Sequence, residues 1–183
     1  MQDTIYDNSV MIVDDDEMLR SLFETELKSY IGNVYVASNG VKCLEIMKNV
    51  QVELVILDLK MPCMNGLELL GNLCTSYPHV AKIVITGYGD KESMKKALQA
   101  GVYDFIEKPV RLDFFNHSIK RALEHIRYKK TQKDLLTHLL FHLSDIEPAK
   151  FYSLSSIEKD KVLKGILRVI KMKKLKEEWR HDG

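Results

Sequence analysis

Short apolar runs alternate with helical patterns along roughly the first two thirds of the chain. In the helical stretches, apolar side chains recur at spacings of three and four, as they do around Leu19, Phe23 and Leu27. The apolar runs predict short buried strands, and they occupy residues 9–13, 34–37, 53–59, 81–87 and 102–109. An alternation of this kind predicts an α/β fold, with a parallel sheet covered by helices on both faces.

Polar side chains follow or end four of these five runs. Asp14 and Asp15 come directly after the first run, Asp58 ends the core of the third, Thr86 ends the fourth and Lys108 ends the fifth. In open parallel sheets, ligands bind at the carboxyl ends of the strands, so these groups should meet at one edge. Clustered carboxylates repel one another and are costly to bury, which suggests that a positive group lies among them.

The predicted cluster suits a divalent cation and a phosphoryl group. Carboxylate oxygens are the ligands that Mg²⁺ prefers, and Asp14, Asp15 and Asp58 carry three negative charges that Mg²⁺ and Lys108 would balance. A carboxylate can act as a nucleophile and form an aspartyl phosphate. Asp58 is the best candidate because it lies on the central run, and the Thr86 hydroxyl could donate a hydrogen bond to a phosphate oxygen.

Four motifs give the chain a family resemblance. "VDDD" at 13–16, "DLKMPCMNG" at 58–66, "TG" at 86–87 and "KP" at 108–109 occur in the order and at the spacing of a known family. Together they make residues 9–128 similar to the CheY-like receiver domain of bacterial two-component response regulators. The resemblance implies a flavodoxin-like, doubly wound sheet of five parallel strands in the order 2-1-3-4-5.

The resemblance also implies roles for individual residues at the phosphoryl site. Asp58 resembles the phosphoacceptor, which takes its phosphoryl group from a histidine kinase or a phosphotransfer protein. Asp14 and Asp15 match the family's Mg²⁺-binding pair, and the backbone carbonyl of Lys60 takes the position of the third protein ligand. The domain is then no enzyme in the ordinary sense, because it promotes only its own phosphorylation and dephosphorylation.

A second group of matching residues implies a switch. Thr86 matches the switch hydroxyl, Phe105 the switch aromatic residue, and Lys108 the phosphate-binding lysine, which the family follows with a cis-proline at the position of Pro109. Phosphorylation would draw in Thr86, turn Phe105 inward and alter the surface of the fourth helix, fifth strand and fifth helix. Gly87 stands where the family often has alanine, which we expect to loosen the following loop. Asp16 is expected only to cap the first helix.

The remaining residues, 129–183, predict a helical extension. Residues 111–143 predict one long helix with a heptad seam, which supports a homodimer or packing on another protein. The seam positions are Phe115, Ile119, Ala122, Ile126, Lys129, Lys133, Leu136, Leu140 and Leu143. A break is expected at 145–148, and then a second amphipathic helix capped by Ser155 or Ser156.

The extension leaves the output of the protein open. Residues 1–119 hold 11 Lys+Arg and 17 Asp+Glu, whereas residues 120–183 hold 16 and 9, so the tail is basic. The first reading is an interaction module that engages a protein partner or itself. One alternative is a DNA-binding transcription regulator, although the second helix of a helix-turn-helix motif is not evident. The other alternative is a phosphorelay intermediate. The basic cluster at 171–176 and the pair His138 and His142 are most simply solvated helix faces.

The composition agrees with a cytoplasmic protein. The N-terminal residues are polar and acidic, which does not match a signal peptide, and the sequence has no apolar run long enough for a membrane span. Its three cysteines do not have the spacing of metal ligands and are expected to be reduced thiols.

Overall fold

The computed structural model describes residues 6–87, 91–144 and 146–181, with side chains described as far as residue 173. The chain divides into two compact units, Met1–Ile126 and Arg127–Gly183. The separation into a receiver domain at 1–128 and an extension at 129–183 stays a prediction. Asp145 and residues 88–90, to which the expectation for the segment after Gly87 applies, lie outside the described residues.

The described part of the first unit contains one sheet of five parallel strands. The strands are β1 (Tyr6–Val13), β2 (Ile31–Ala37), β3 (Leu54–Asp58), β4 (Ala81–Thr86) and β5 (Asp104–Glu107). Their order is β2-β1-β3-β4-β5, which confirms the predicted fold. β2 begins earlier than the sequence indicated, because Ile31 pairs with Tyr6 and Asn33 with Ser9. Gly32 and Asn33 therefore belong to this edge strand and not to a turn.

Helices follow the strands, and polar side chains begin three of them. The helices are α1 (Glu17–Lys28), α2 (Gly40–Met47), α3 (Gly66–Ser76), α4 (Lys91–Gln99) and α5 (Leu112–Leu143). Asp16, Asn39 and Asn65 are the N-caps of α1, α2 and α3, and each accepts a backbone N–H bond from the first turn. These bonds satisfy amide groups that lack a partner within the helix. The expected role of Asp16 as a cap is therefore confirmed.

The alternation of side chains along the strands divides the core of the first unit into two layers. Met11, Val55 and Val84 point to the face covered by α2, α3 and α4. Ile12 and Ile56 point to the opposite face, where the side chains of α1 and α5 cover them. Both layers are buried, so the sheet is doubly wound and its strand ends are the part of it that can offer polar groups to a ligand.

The second unit has a small core made by the end of α5, α6 (Pro148–Ser153) and α7 (Ser156–His181). Its fully buried apolar residues within the described range are Leu140, Phe151 and Ile166. α6 begins with Pro148, the last residue of the expected break, and proline is favoured in the first helical turn. Ser155, one of the two serines predicted to cap this helix, is the N-cap of α7. Its backbone N–H donates to the Glu158 carboxylate, and its hydroxyl accepts the Glu158 backbone N–H.

The heptad seam of α5 is used within the chain, in two separate places. Phe115, Ile119 and Ala122 are fully buried against the sheet of the first unit, whereas Leu140 is buried in the second. The described residues therefore give the seam no continuous exposed apolar surface, and the homodimer that the seam supports stays a prediction. An amphipathic helix on a sheet and a coiled-coil helix share this spacing, which is why the sequence did not separate them.

The amphipathic interpretation of α7 holds for only part of that helix. Ile166 is buried and Val162 is partly buried, but Ile157, Leu167 and Met172 are more than half exposed. The spacing of the apolar residues also assigns Leu175 to this pattern, but its side chain lies outside the described range.

The two long helices carry charged residues along their length. α5 has 32 residues and α7 has 26, yet within the described chain no helix combines the length and the apolar character needed to cross a membrane.

Candidate functional site

Two buried aspartates lie side by side at the carboxyl edge of the sheet. Val13 pairs with Leu57 in the parallel ladder, so the next residues, Asp14 and Asp58, emerge together. Asp14 is 1% exposed and Asp58 is 4% exposed, whereas Asp15 is on the surface. One carboxylate oxygen from each of the three residues lies within 4.8 Å of those of the other two. The structure thus brings together the acidic groups that the sequence analysis predicted to meet.

Lys108 reaches this cluster from the end of β5. Its Nζ donates to Asp58 Oδ2 at 2.5 Å and to Asp14 Oδ2 at 3.3 Å. The Lys108 backbone N–H donates to the Thr86 carbonyl at 2.8 Å, and the Lys108–Pro109 peptide is cis, as the resemblance implied. Burial lowers the pKa of the Lys108 ammonium, but its bond to Asp58 and the nearby carboxylates raise it more, so the net pKa lies above its usual range. The lysine therefore stays charged.

Asp14 is held by the turn between β1 and α1. Its Oδ1 accepts the backbone N–H of Asp16 at 2.8 Å, and its carbonyl accepts a bond from the Arg20 guanidinium at 2.7 Å. Burial raises the pKa of the Asp14 carboxyl, against the opposing effects of the Asp16 amide and Lys108. The carboxylate is consequently in an environment where a further positive charge would be strongly favoured.

Asp58 is fixed by the loop between β3 and α3. Its Oδ1 accepts the backbone N–H of Lys60 at 3.0 Å. Gly66, at the start of α3, is packed against the backbone of Asp58 and Leu59, so that a Cβ there would lie 2.1 Å from the Asp58 carbonyl oxygen. The same loop contains Cys63 with a φ of 70°, a backbone conformation that residues other than glycine rarely adopt. The Lys60 carbonyl remains only a predicted metal ligand.

Thr86 and Phe105 lie on neighbouring strands close to the cluster. Thr86 ends β4 and is 1% exposed, with its hydroxyl donating to the Gly87 carbonyl at 3.5 Å. That distance is long for a hydroxyl bond, so the hydroxyl is weakly held. Phe105 pairs with Val84 in the ladder and is partly buried against the core layer that contains Val84. Their switch roles are not tested by this arrangement and stay predictions.

The residues present fit a hard divalent cation. Asp14, Asp15 and Asp58 carry three negative charges against the one positive charge of Lys108, which leaves two to be balanced. Oxygen ligands at 2.0–2.6 Å from one ion lie within about 5 Å of one another, in agreement with the 4.8 Å limit observed here. The three carboxylates are therefore the residues that would hold Mg²⁺.

A family model, the response regulator receiver domain, matches residues 10–120. The chain belongs to this family. The match covers both core layers and all of the acidic cluster, and it ends within α5. The predicted resemblance to receiver domains is confirmed.

The receiver domain is similar to parts of proteins that have different names. A cyclic di-GMP phosphodiesterase of Thermotoga maritima is 39% identical over 115 residues, which cover 63% of this chain and 31% of the relative. The transcriptional regulatory protein FixJ of Rhizobium meliloti is 37% identical over 120 residues, covering 66% of this chain and 59% of FixJ. A crystal structure of a CheY-like receiver domain from Methanospirillum hungatei has a TM-score of 0.64 at 29% identity and covers 67% of this chain and 98% of that one.

The shared region is only part of these relatives. The chain spans less than a third of the length of the phosphodiesterase and of a response regulator similar to NtrX from Rickettsia felis. The similarity therefore concerns the receiver domain.

Two residues that support the site were not among those predicted for it. The Arg20 guanidinium on α1 donates a hydrogen bond to the Asp14 carbonyl. Gly66, which has no Cβ, leaves room for the Asp58 backbone. Gly66 lies inside the "DLKMPCMNG" motif, so the motif held a signal for it. Arg20 offered none, because an arginine one turn into a helix is ordinarily a solvent-exposed residue.

Proposed function

We propose that this receiver domain accepts a phosphoryl group on Asp58 from the phosphohistidine of a histidine kinase or phosphotransfer protein, in a reaction that requires Mg²⁺. The single observation that supports this most strongly is the cluster itself. Asp14, Asp15 and Asp58 approach one another within 4.8 Å, and Lys108 bonds to both buried members. A purely structural role would not require a buried carboxylate pair and an ammonium at the ligand-binding edge of the sheet.

The chain's own residues supply positioning and charge. An Asp58 oxygen forms a bond to phosphorus while the bond between phosphorus and the donor's histidine nitrogen breaks, and the electron pair of that bond leaves with the nitrogen. The Lys60 amide and the Lys108 ammonium hold the carboxylate in place before the attack. Lys108 can then transfer its hydrogen bond to a phosphoryl oxygen. Bound Mg²⁺ supplies positive charge that offsets the phosphoryl oxygens.

A matched pair of variants tests the assignment of Asp58. The protein is incubated with Mg²⁺ and a small phosphodonor such as acetyl phosphate, and the phosphorylated fraction is measured by intact mass. Wild type should gain one phosphoryl group that hydroxylamine removes, whereas Asp58→Asn should gain none. Asp16→Asn is the control, because Asp16 is a nearby exposed carboxylate that caps α1, and asparagine caps a helix equally well. Phosphorylation of Asp58→Asn at the wild-type rate would refute the proposal.

We also infer that Thr86 and Phe105 transmit phosphorylation to the surface of α4, β5 and α5. The Thr86 hydroxyl is weakly bonded and buried next to the acceptor strand, so it is available to a phosphoryl oxygen. A groove of about 600 Å³ lies beside Phe105 and includes Phe114, which is 61% exposed. A rotation of Phe105 would change the wall of this groove, which is the shift in population expected of such a switch.

Hydrogen exchange tests this inference. In wild type, a beryllium fluoride mimic of the phosphoryl group should change exchange in α4, β5 and α5. In Thr86→Ala the mimic should still bind, while the change at β5 and α5 should be much smaller. Equal changes in the two proteins would show that Thr86 does not carry the signal.

We propose that residues 129–183 deliver the output, by contact with a protein partner or with a second copy. α5 contributes residues to both units, so the segment that follows Ile126 is covalently continuous with the switch surface. Light scattering of the full chain with Mg²⁺, with and without the mimic, tests self-association. A shift from monomer to dimer supports the second copy. An unchanged mass rules it out and leaves a different protein as the partner, to be sought with the activated form as bait.

A further inference from the structure

A row of four cations runs along the exposed side of α7. Lys161, Lys164, Arg168 and Lys171 follow one another at spacings of three, four and three residues, which places them on one face of the helix. All four are exposed, whereas Ile166, on the opposite face, is buried in the core of the second unit. The row runs from Lys161 to Lys171, ten residue-to-residue steps that span about 15 Å of helix.

Most of this charge is not neutralised by neighbouring side chains. Lys164 pairs with Asp160 at 2.6 Å, and both side chains of that pair are largely exposed. For Lys161, Arg168 and Lys171, the described part of the chain provides no carboxylate within ion-pair distance. Glu158 lies one turn before Lys161, but its carboxylate accepts bonds from the amide and hydroxyl of Ser155 at the start of the helix.

The arrangement is electrostatically unfavourable in the protein alone. Lys161 and Lys164, Lys164 and Arg168, and Arg168 and Lys171 are each neighbours at three or four residues, where like charges destabilise a helix. An anion that spans the row would relieve all three repulsions at once. The positive charge belongs to the C-terminal part of the chain, because residues 1–119 carry an excess of acidic residues.

We propose that this row binds the backbone phosphates of double-stranded DNA. A duplex presents one phosphate per about 3.4 Å of axis on each strand, so about four phosphates of one strand lie along the 15 Å of the row. Lysine and arginine are side chains that neutralise phosphates, and a row of them on one exposed helix face would contact mainly the phosphate backbone. This proposal does not rest on phosphoryl transfer at Asp58.

An anionic membrane is the weaker candidate for the same charges. A helix that lies on a bilayer must insert an apolar face opposite its cations. The residues of α7 directly opposite the row, Val162 and Ile166, pack in the core of the second unit, so a bilayer would meet only the partly exposed Leu163, Leu167 and Ile170. A duplex makes no such demand, because the cationic row can contact its phosphates without the insertion of any apolar side chain.

Fluorescence anisotropy with a labelled duplex of mixed sequence tests the proposal on the full chain. For the wild type, a plot of the logarithm of the association constant against the logarithm of the salt concentration should have a slope of about −3 to −4. This is the slope expected for four phosphate contacts. Lys161→Gln/Arg168→Gln should lose about two units of that slope and bind about tenfold or more weakly near 0.1 M salt. The control Lys159→Gln/Lys173→Gln removes the same charge from the same helix, away from the row, and should change affinity no more than about threefold.

Three results would overturn the proposal. The first is the absence of duplex binding even at low salt. The second is an equal loss of affinity in the row variant and the control, which would mean that overall charge alone acts. The third is binding to vesicles that contain phosphatidylserine, lost in the row variant, without binding to DNA. Glutamine has a helix propensity close to that of lysine and arginine, so circular dichroism should show unchanged helicity in both variants.

Discussion

Replacing Gly66 by alanine should disturb both the stability of the first unit and the reactivity of Asp58. The added Cβ would lie 2.1 Å from the Asp58 carbonyl oxygen and 2.4 Å from the Leu59 Cα, whereas real Cβ contacts essentially never fall below 3.0 Å. Both neighbours are backbone atoms, so no side-chain rotation can relieve the overlap. The end of β3 or the start of α3 must therefore move by nearly 1 Å.

The size of the effect follows from this displacement. Overpacking of a well-filled interior typically costs about 1–3 kcal/mol, so we expect the free energy of unfolding to fall by that amount. A shift of about 1 Å in a reacting group can lower a rate by about a hundredfold, so phosphorylation of Asp58 should slow by one to two orders of magnitude. Gly71→Ala is the matched control in the same helix, because nothing lies within 4 Å of its added Cβ. It should stabilise the protein by about 0.5–1 kcal/mol.

Urea unfolding followed by circular dichroism measures the first effect, and intact mass after incubation with Mg²⁺ and a phosphodonor measures the second. The free energies of unfolding of the two variants should differ by about 2–4 kcal/mol. This difference corresponds to about 1 M or more in the urea concentration at the unfolding midpoint. If Gly66→Ala were as stable as Gly71→Ala and were phosphorylated at the wild-type rate, the steric account of this loop would be wrong.

Three further predictions concern buried polar groups. Mg²⁺ at a hundred times its dissociation constant should stabilise wild type by about 2.7 kcal/mol in thermal unfolding, and Asp14→Asn should lose most of this gain. Burial raises the pKa of the Cys43 thiol to about 12, so iodoacetamide should label exposed Cys63 and leave Cys43 unmodified until the protein unfolds. Burial also raises the pKa of Tyr30, whose hydroxyl donates to Asn116 at 2.7 Å. Because the folded protein holds this proton more tightly, stability should fall as the pH rises above about 10, the ordinary pKa of tyrosine, and it should fall less steeply in Tyr30→Phe.

The sequence was sufficient to predict the sheet and the meeting point of the acidic residues. Apolar runs that end in Asp58, Thr86 or Lys108 indicate strands whose polar ends share one edge, because parallel strands all point the same way. That rule relates residues far apart in the chain without any knowledge of their contacts. It could not supply the distances, and so the bond from Lys108 to both aspartates needed the structure.

Other features depend on tertiary contacts that periodicity does not specify. The spacing of Phe115, Ile119 and Ala122 fits a helix that covers a sheet as well as one that pairs with a second helix. Only the position of the sheet decides between them. The apolar residues of α7 fit an amphipathic pattern, yet Leu167 is 55% exposed because the core of the second unit is too small to cover every apolar position.

The turn that follows β1 shows why the site and the fold cannot be separated. The Asp16 amide donates to the Asp14 carboxylate, while the Asp16 carboxylate accepts the amides of Met18 and Leu19 and so begins α1. From the next turn of α1, Arg20 binds the Asp14 carbonyl. One short segment thus ends a strand, starts a helix and orients a carboxylate. Asp16 therefore offsets the burial of the Asp14 carboxylate through its amide and starts the helix that covers the sheet through its carboxylate, so the same residue serves the site and the fold.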